Sequence, residues 1–551
     1  MTTLPKDKLE NLIKLFNSNQ FLETKKFCLK LIHLYPNSLI LLNLFGITLL
    51  RIGELNKSIQ TFDKAIKLFP KDKDAYINKG SVLNKLGRLE ESLLSYNKAL
   101  ELNPNFVEVY YNKGNTLRDL GRLEESLLSY NKALEIKPDF MEAYSNLLFT
   151  LNYSSKHQLS YLISKAREFG NIVSKKINKP YKNYNSLPIK NKLRVGLVSG
   201  DLYNHPVGYF LESMLPNINP NKIELIAYLT NLKTDGLTER IKPFFAGWKI
   251  LFNKNDEDAA NEIHNDAIDI LIDLSGHTGH NRLPVFGWRP APVQVSWLGY
   301  FATTGLKQMD YIIGDPFVTP IGEDSHYTEK VWRMPETRLC FSVPNVNIDV
   351  SILPALKNDY ITFGCFNNFS KINDEVISLW SKILFTIPKS KILFKNKQIK
   401  EKSVCIRLIE KFNNNGINNE RIIFEKSELR SKYFQAYNKV DVSLDPFPFT
   451  GGVMSIESLW MGVPVLTLSG DRFVSRQGEE ILINADLNDW ISKNKEEYVV
   501  KAEKLTSNLN KLALLRSSLR NQVLNSPLFN VPRFAKNFEK ALWGIWQQQK
   551  K

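Results

Sequence analysis

Cysteine is scarce in this sequence. Four occur in 551 residues, Cys28, Cys340, Cys365 and Cys405, far apart and never as a CxxC pair. That pattern excludes a disulfide scaffold, and it implies reduced thiols in a cytoplasm-like compartment. Histidine is nearly as sparse. His277 and His280 stand three apart, but no third ligand accompanies them at a diagnostic spacing, so no metal site is expected. No DxD motif stands at a strand end. Asp441 and Asp445 are four apart, within and just after a strand candidate, and do not make a metal pair. No run approaches the roughly 18 apolar residues that a membrane helix needs, so no membrane span is expected. The opening stretch, MTTLPKDKLENLIKLF, mixes acids with amphipathic spacing and is not read as a signal peptide. Acidic residues are outnumbered, leaving a net charge of +16, which suits acidic partners. The basic residues are scattered, however, and no compact basic-aromatic motif accompanies them. A basic solvated surface is favoured over nucleic-acid binding.

The composition, 43% hydrophobic and 24% charged, is that of a globular protein, and the length suggests three or four units. The first third is a repeat array. GRLEESLLSYNKALE occurs identically at Gly87–Glu101 and Gly121–Glu135, and the period is 34 residues. Gly46, Gly80 and Gly114 keep that period, as do Pro36, Pro70, Pro104 and Pro138. Ala65, Ala99 and Ala133 recur likewise, with aromatics at Phe62, Tyr96 and Tyr130. Small residues let two helices approach, large ones fill the seam, and proline ends each unit. The pattern resembles the tetratricopeptide repeat, a helix–turn–helix unit that stacks into a solenoid. Repeats run from about Leu41 to Glu142, preceded by a degenerate one over residues 7–40. Asn78, Asn112 and Asn146 keep the same period and form a ladder. Their amides can bind an extended acceptor peptide in the groove, or they can satisfy neighbouring helices.

After residue 150 the pattern changes. Residues 155–175 look helical, and INKPYKNYNSLPIKN, from Ile177 to Asn191, reads as a linker. Continuous apolar runs then alternate with helical stretches: Leu193–Ser199, Ile223–Thr230, Ile268–Gly276, Val293–Gly299 and Tyr311–Asp315. A second series follows at Ile361–Phe366, Lys391–Phe394, Arg421–Phe424, Val440–Leu444 and Val463–Leu468. Alternation of this kind indicates two doubly wound parallel sheets, with a cleft where the carboxyl ends of the strands meet. The expected layout is a repeat array over 1–150, a helical and linker segment over 151–192 and an N-terminal lobe over 193–345. A nucleotide-binding lobe over 346–531 and a packing helix over 532–551 complete it.

The stretch with most chemistry is DPFPFTGGVMSIESLWMGVPVLTLSG, from Asp445 to Gly470. Gly451 and Gly452 precede a helix expected from Ser455 to Met461. Glycines allow close backbone approach, and a helix start offers free N–H groups and partial positive charge, which suit a phosphate. An ordinary strand-to-helix turn is the competing reading. Lys371, beyond the first strand of the second lobe and beside Asn367 and Asn368, can neutralise a diphosphate leaving group, or is one surface lysine among many. His205 follows the first strand of the first lobe, where an imidazole can donate to a sugar or accept a proton, or can simply bond its own turn. His264 precedes a strand and reads on its own as a helix C-terminal residue.

Taken together, LRVGLVSGDLYNHPVGYF, DILIDLSGHTGHNRLPVFGWRPAPVQVSWLGY, FGCFNNFSKI and DPFPFTGGVMSIESLWMGVPVLTLSGDRFVSRQG resemble the O-linked N-acetylglucosamine transferase and Spindly family. The resemblance runs from about residue 41 onward. It implies a two-lobed GT-B glycosyltransferase whose repeats feed a protein acceptor into the cleft. It also implies inverting, metal-independent transfer of N-acetylglucosamine from UDP-N-acetylglucosamine to Ser or Thr hydroxyls, with no cofactor. By position, His205 matches the family's active-site histidine and His264 a second histidine lining the cleft. Lys371 matches the lysine on the donor diphosphate, and Asn368 takes the place of a neighbouring glutamine. Thr450, Gly451, Gly452, Val453 and Met454 match the loop and helix start on the phosphates, and Glu457 replaces an acidic residue on the ribose.

The departures concern the donor. Animal members carry a histidine and two threonines where this chain has Gly452, Val453 and Met454, and Tyr433 stands in place of a nucleotide-contacting histidine. Two hydroxyl donors are therefore missing. The alternatives are the same fold with GDP-fucose or a non-protein sugar acceptor, or a repeat scaffold that no longer turns over.

Overall fold

A period of 34 residues with a small residue at one fixed position dictates paired helices, and the computed structural model shows how they close. It describes residues 4–184, 191–426 and 429–549; residues 185–190 of the expected linker lie outside these. Helices pair from Lys6–Asn17 with Phe21–Leu34 through Leu39–Arg51 with Leu55–Leu68 and Lys73–Leu86 with Leu89–Leu102 to Val107–Asp119 with Leu123–Ile136. A half-repeat, Met141–Leu151, follows. A Cβ added at Gly46, Gly80 or Gly114 would lie 2.5–2.6 Å from the ring of Phe62, Tyr96 or Tyr130. That is why glycine recurs: the aromatic of the second helix lies against the backbone of the first. Each seam is pinned by a buried serine, Ser58, Ser92 or Ser126, donating to the carbonyl of the matching glycine at 2.7–2.8 Å. The degenerate leading repeat is a genuine helix pair, sealed by Leu12, Cys28, Leu31 and Leu41.

The chain divides into two compact units, the repeats with Gln398–Arg407, and Leu151–Lys397 with Leu408–Lys551. The second unit holds both sheets. The N-terminal sheet comprises β1 (Leu193–Ser199), β2 (Ile223–Leu229), β3 (Gly247–Ile250), β4 (Ile270–Asp273), β5 (Val293–Ser296), β6 (Tyr311–Gly314) and β7 (Lys330–Arg333). Their order is β3-β2-β1-β4-β5-β6-β7, all parallel. The C-terminal sheet comprises β8 (Thr362–Cys365), β9 (Lys391–Asn396), β10 (Ile422–Lys426), β11 (Val442–Leu444), β12 (Val465–Leu468) and β13 (Ile491–Ser492). Its order is β10-β9-β8-β11-β12-β13, also parallel. In both sheets the order reverses beside the first strand, and ligands bind outside the carboxyl ends at such a switch point. The strands read as continuous apolar runs are the central ones, buried on both faces: β1, β4 and β5 expose almost nothing.

Two segments given ranges of their own in the sequence, the helical segment after residue 150 and the C-terminal packing helix, lie against the N-terminal lobe. The helix Leu159–Lys176 lies so close that a Cβ on Gly170 would strike the carbonyl of Gly305 at 1.8 Å, and Phe169 meets His277 edge-on. The last helix, Val531–Gln549, crosses back from the C-terminal lobe, setting Phe538 against Trp297 with ring centroids 4.5 Å apart. The chain thus passes between lobes twice. The two passages lie side by side: the Phe341 N–H donates to the Leu528 carbonyl at 2.7 Å, and the rings of Phe341 and Phe529 meet edge-on.

Candidate functional site

The helix after the paired glycines is Val453–Trp460, two residues earlier than its expected start, with Gly452 at the N-cap. Val453 and Met454 therefore occupy the first turn, whose N–H groups have no acceptor within the helix. Gly451 is required by crowding. A Cβ there would lie 2.2 Å from Ser455 Oγ and 2.8 Å from Asp445 Oδ1, whereas one on Gly452 would meet only Gln477 Oε1, at 4.0 Å. Asp445, at the carboxyl end of β11, holds the turn: its Oδ1 accepts from the Gly451 N–H at 2.6 Å and its Oδ2 from Thr467 at 2.9 Å. Burial pushes this carboxyl up to about 6, against the pull of Lys371 and these hydrogen bonds.

Lys371 reaches the same turn from the carboxyl end of β8. Its Nζ donates to the Thr450 carbonyl at 2.9 Å and to Asn367 Oδ1 at 3.1 Å, and sits 4.0 Å over the Phe449 ring. Burial pushes the ammonium down to about 8, while Asp445 pulls it back up. Asn367, noted in sequence only as a neighbour, is thus a direct partner. Asn368 caps the short turn carrying Lys371, its Oδ1 accepting from the Ser370 N–H at 2.8 Å. Thr450 is locked by its hydroxyl, which donates to the Val474 carbonyl at 2.9 Å and accepts from the Gly478 N–H at 3.1 Å. Its fixed carbonyl aims Lys371 at the glycine turn.

One turn further along the Val453–Trp460 helix lies Glu457, fully buried. A buried carboxylate needs partners. Arg430 Nη2 donates to it at 2.6 Å and the Tyr433 hydroxyl at 3.0 Å. Burial pushes Glu457 up and Arg430 opposes that. Tyr433 also points its hydroxyl at Met454 Sδ, 2.8 Å away. The residues expected at the nucleotide end therefore form one cluster, and Arg430, which no spacing marked, completes it.

On the facing lobe His205 is the N-cap of the helix Pro206–Leu211, just past the carboxyl end of β1. Its Nδ1 accepts from the Val207 N–H at 3.4 Å and lies 3.7 Å from Asp201. An Nδ1 that accepts leaves the proton on Nε2, so the free edge of the ring is a donor. Burial, with the nearby charges of Lys233, His280 and Lys397, pushes His205 down to about 4, so the ring is neutral at pH 7. The strand ends of the two lobes meet where Phe301 packs on Phe449, ring centroids 4.4 Å apart.

His264 is not part of this cluster, and its expected place in the cleft is corrected. It ends the helix Asp256–Asn265, which leads into β4, and so lies at the amino edge of the sheet. Crossover helices run antiparallel to the strands, so their last turn faces away from the ligand end. There His264 stacks on Tyr181 at 3.9 Å. His277, fully buried, bonds the Thr304 carbonyl through Nε2 at 3.0 Å. Among the described residues no group of three or more His, Cys, Asp or Glu is placed to hold a metal. Asp441, just before β11, lies at the amino edge of the C-terminal sheet, accepting from the Ala355 and Thr362 N–H groups. In the repeats, Asn78, Asn112 and Asn146 fall one per helix on Lys73–Leu86, Val107–Asp119 and Met141–Leu151. Asn146 donates to Asn115 Oδ1 at 2.7 Å, so the last rung already has a partner within the array. No described helix is long and apolar enough to cross a membrane.

Comparison with known proteins places this geometry. The glycosyl transferase family 41 profile matches residues 147–343 and 345–538, and the TPR repeat profile matches 80–117 and 114–147. A protein of Arabidopsis thaliana described as "Probable UDP-N-acetylglucosamine--peptide N-acetylglucosaminyltransferase SPINDLY" is 32% identical over 407 residues, covering 73% of this chain and 44% of that one. Another from the same plant, with the same description but called SEC, is 30% identical over 385 residues, covering 67% and 39%. The chain thus spans less than half the length of these relatives. A solved structure of a mutant Thermobaculum terrenum O-GlcNAc transferase shares the fold with a TM-score of 0.86 and 31% identity, covering 93% of this chain and 98% of that one. The architecture is a tetratricopeptide solenoid followed by a GT-B pair of lobes. With its profile matched along both lobes, the chain belongs to glycosyl transferase family 41, among the O-linked N-acetylglucosamine transferases and their Spindly relatives.

Proposed function

We propose that this chain is a cytoplasmic, inverting, metal-independent glycosyltransferase that moves N-acetylglucosamine from UDP-N-acetylglucosamine to Ser or Thr hydroxyls of protein acceptors. The observation that carries the reading is the setting of Lys371, an ammonium locked by Thr450 and Asn367 beside an amide-rich glycine turn. Such a pairing fits a departing diphosphate better than it serves packing, because burying a cation without a carboxylate contact is costly.

In this scheme the acceptor oxygen attacks the anomeric carbon from the face opposite the diphosphate. The bond from that carbon to the phosphate oxygen breaks, its electron pair leaves with UDP, and the proton of the acceptor hydroxyl is given up to water or to the departing phosphate. Lys371 and the first-turn amides of the Val453–Trp460 helix neutralise the charge that develops there. Glu457 receives the ribose, and the Nε2–H of His205 orients the sugar or the incoming hydroxyl. The asparagine ladder Asn78, Asn112 and Asn146 holds the acceptor backbone. The supports are family membership and the descriptions of the two plant relatives.

The deciding experiment is a calorimetric titration of the purified protein with UDP and with GDP in the presence of a chelator. UDP binding that is lost in Lys371→Ala supports the scheme. Binding of GDP alone moves the donor to a GDP-sugar such as GDP-fucose, a reading the Spindly resemblance allows. Binding of neither at millimolar concentration leaves the repeat-scaffold reading standing.

A further inference from the structure

A cation at the start of a helix opposes the dipole. Arg430 nevertheless opens the helix Arg430–Gln435, after an N-cap residue, Leu429, that provides no capping side chain. What holds it there is on two sides. On the C-terminal lobe its Nη2 donates to the buried Glu457 at 2.6 Å, and its guanidinium lies 4.9 Å from the Phe434 ring. On the N-terminal lobe the same guanidinium lies 4.5 Å over the ring of Tyr209. Tyr209 belongs to the helix Pro206–Leu211, and its N–H donates to the carbonyl of His205 at 3.0 Å. A contiguous chain of contacts therefore runs Glu457, Arg430, Tyr209, His205, from the nucleoside end of one lobe to the N-cap histidine of the other.

We propose that Arg430 is a positioning residue that bridges the lobes and strengthens nucleotide binding by orienting Glu457. This rests on the donor-site reading above. Glu457 is the group that would receive the ribose, and Arg430 fixes its orientation. Tyr209 in turn fixes Arg430, so that a residue on the N-terminal lobe contributes to the affinity of the C-terminal one. Lysine cannot replace arginine here. Its point charge could approach Glu457 but would lose the planar stack on Tyr209 and Phe434. The contact is with the Tyr209 ring, over which the guanidinium lies, so the ring is the group the proposal requires.

The test is a UDP titration (GDP if the wild type takes GDP instead) of wild type, Tyr209→Phe, Tyr209→Leu, Arg430→Lys and the double variant Tyr209→Leu/Arg430→Lys, with a thermal melt of each. Loss of a partly desolvated cation–π contact is expected to weaken nucleotide binding roughly three- to thirty-fold in Tyr209→Leu and in Arg430→Lys. Tyr209→Phe should bind within two-fold of wild type. The double variant should be no weaker than the worse single, because both remove the same contact. Unchanged affinity in Tyr209→Leu with wild-type melting, or fully additive losses in the double variant, overturns the proposal and leaves the donor-site reading intact. If Tyr209→Leu does not fold, Arg430→Lys with unchanged affinity overturns it equally. A wild type that binds neither nucleotide removes the donor-site reading first, and this inference with it.

Discussion

Lys371 is the residue on which the proposed chemistry turns, and its surroundings set a quantitative expectation. Its Nζ is held at 2.9 Å from the Thr450 carbonyl and 3.1 Å from Asn367 Oδ1, with no carboxylate in contact among the described residues. Removing the ammonium in Lys371→Met deletes a preformed donor aimed at the leaving group. An interaction of this kind, stronger in the transition state than in the ground state, contributes about 3–4 kcal/mol, so kcat should fall roughly 100- to 1,000-fold. The pH dependence follows from burial, which pushes Lys371 down to about 8. The active form is the protonated one. Activity is therefore present below pH 8 and is lost as pH rises through that value. Because kcat/KM reports the free enzyme, its alkaline limb should fall near pH 8, about tenfold per further pH unit. A bound diphosphate favours the ammonium, so the limb in kcat should lie higher. Lys371→Arg keeps a charge that does not titrate in this range and should lose the limb altogether. Steady-state kinetics from pH 6.5 to 10, with a discontinuous assay of sugar incorporated into acceptor peptide, measures all of this. A wild-type kcat/KM that is flat from pH 7 to 10, or a Lys371→Met variant within tenfold of wild type, refutes the reasoning.

The two glycines of the turn should respond in opposite ways. Gly451→Ala forces a methyl group against Ser455 and Asp445, and should weaken nucleotide binding by at least tenfold and cost about 1–3 kcal/mol in a denaturant melt. Gly452→Ala, whose methyl group would meet only Gln477 Oε1 at 4.0 Å, should do neither. The histidines should separate in the same manner: His205→Ala should lower kcat about 100-fold, whereas His264→Ala, at the amino edge of the sheet, should stay within about threefold in the same peptide assay.

Much of this architecture could be read before the fold was known, and the reasons are specific. The repeats announce themselves because each seam uses the same three residues, a glycine, an aromatic and a serine, at fixed distances along the chain. The central strands are legible because burial on both faces leaves no polar alternation. Three edge strands escaped notice. Gly247–Ile250 and Lys330–Arg333 are partly exposed, and Ile491–Ser492 is only two residues long. The glycine turn and Lys371 were marked by their positions after strands, and the structure brings both to Thr450. His264 was misplaced because a motif match carries no information about which end of a helix faces a ligand. Arg430 could not be found, since its partners, Glu457 and Tyr209, lie 27 residues ahead and a whole lobe away. Asp445 was weighed only as a metal ligand, while its work is to grip the Gly451 amide.

The two passages between the lobes lie against one another at Phe341 and Leu528. A single tether would allow one lobe to swivel freely over the other. Two tethers bonded together act as the spine of a book. Opening about that line would leave the seam whole, whereas sliding or twisting would have to shear the Phe341–Leu528 hydrogen bond and part the rings of Phe341 and Phe529.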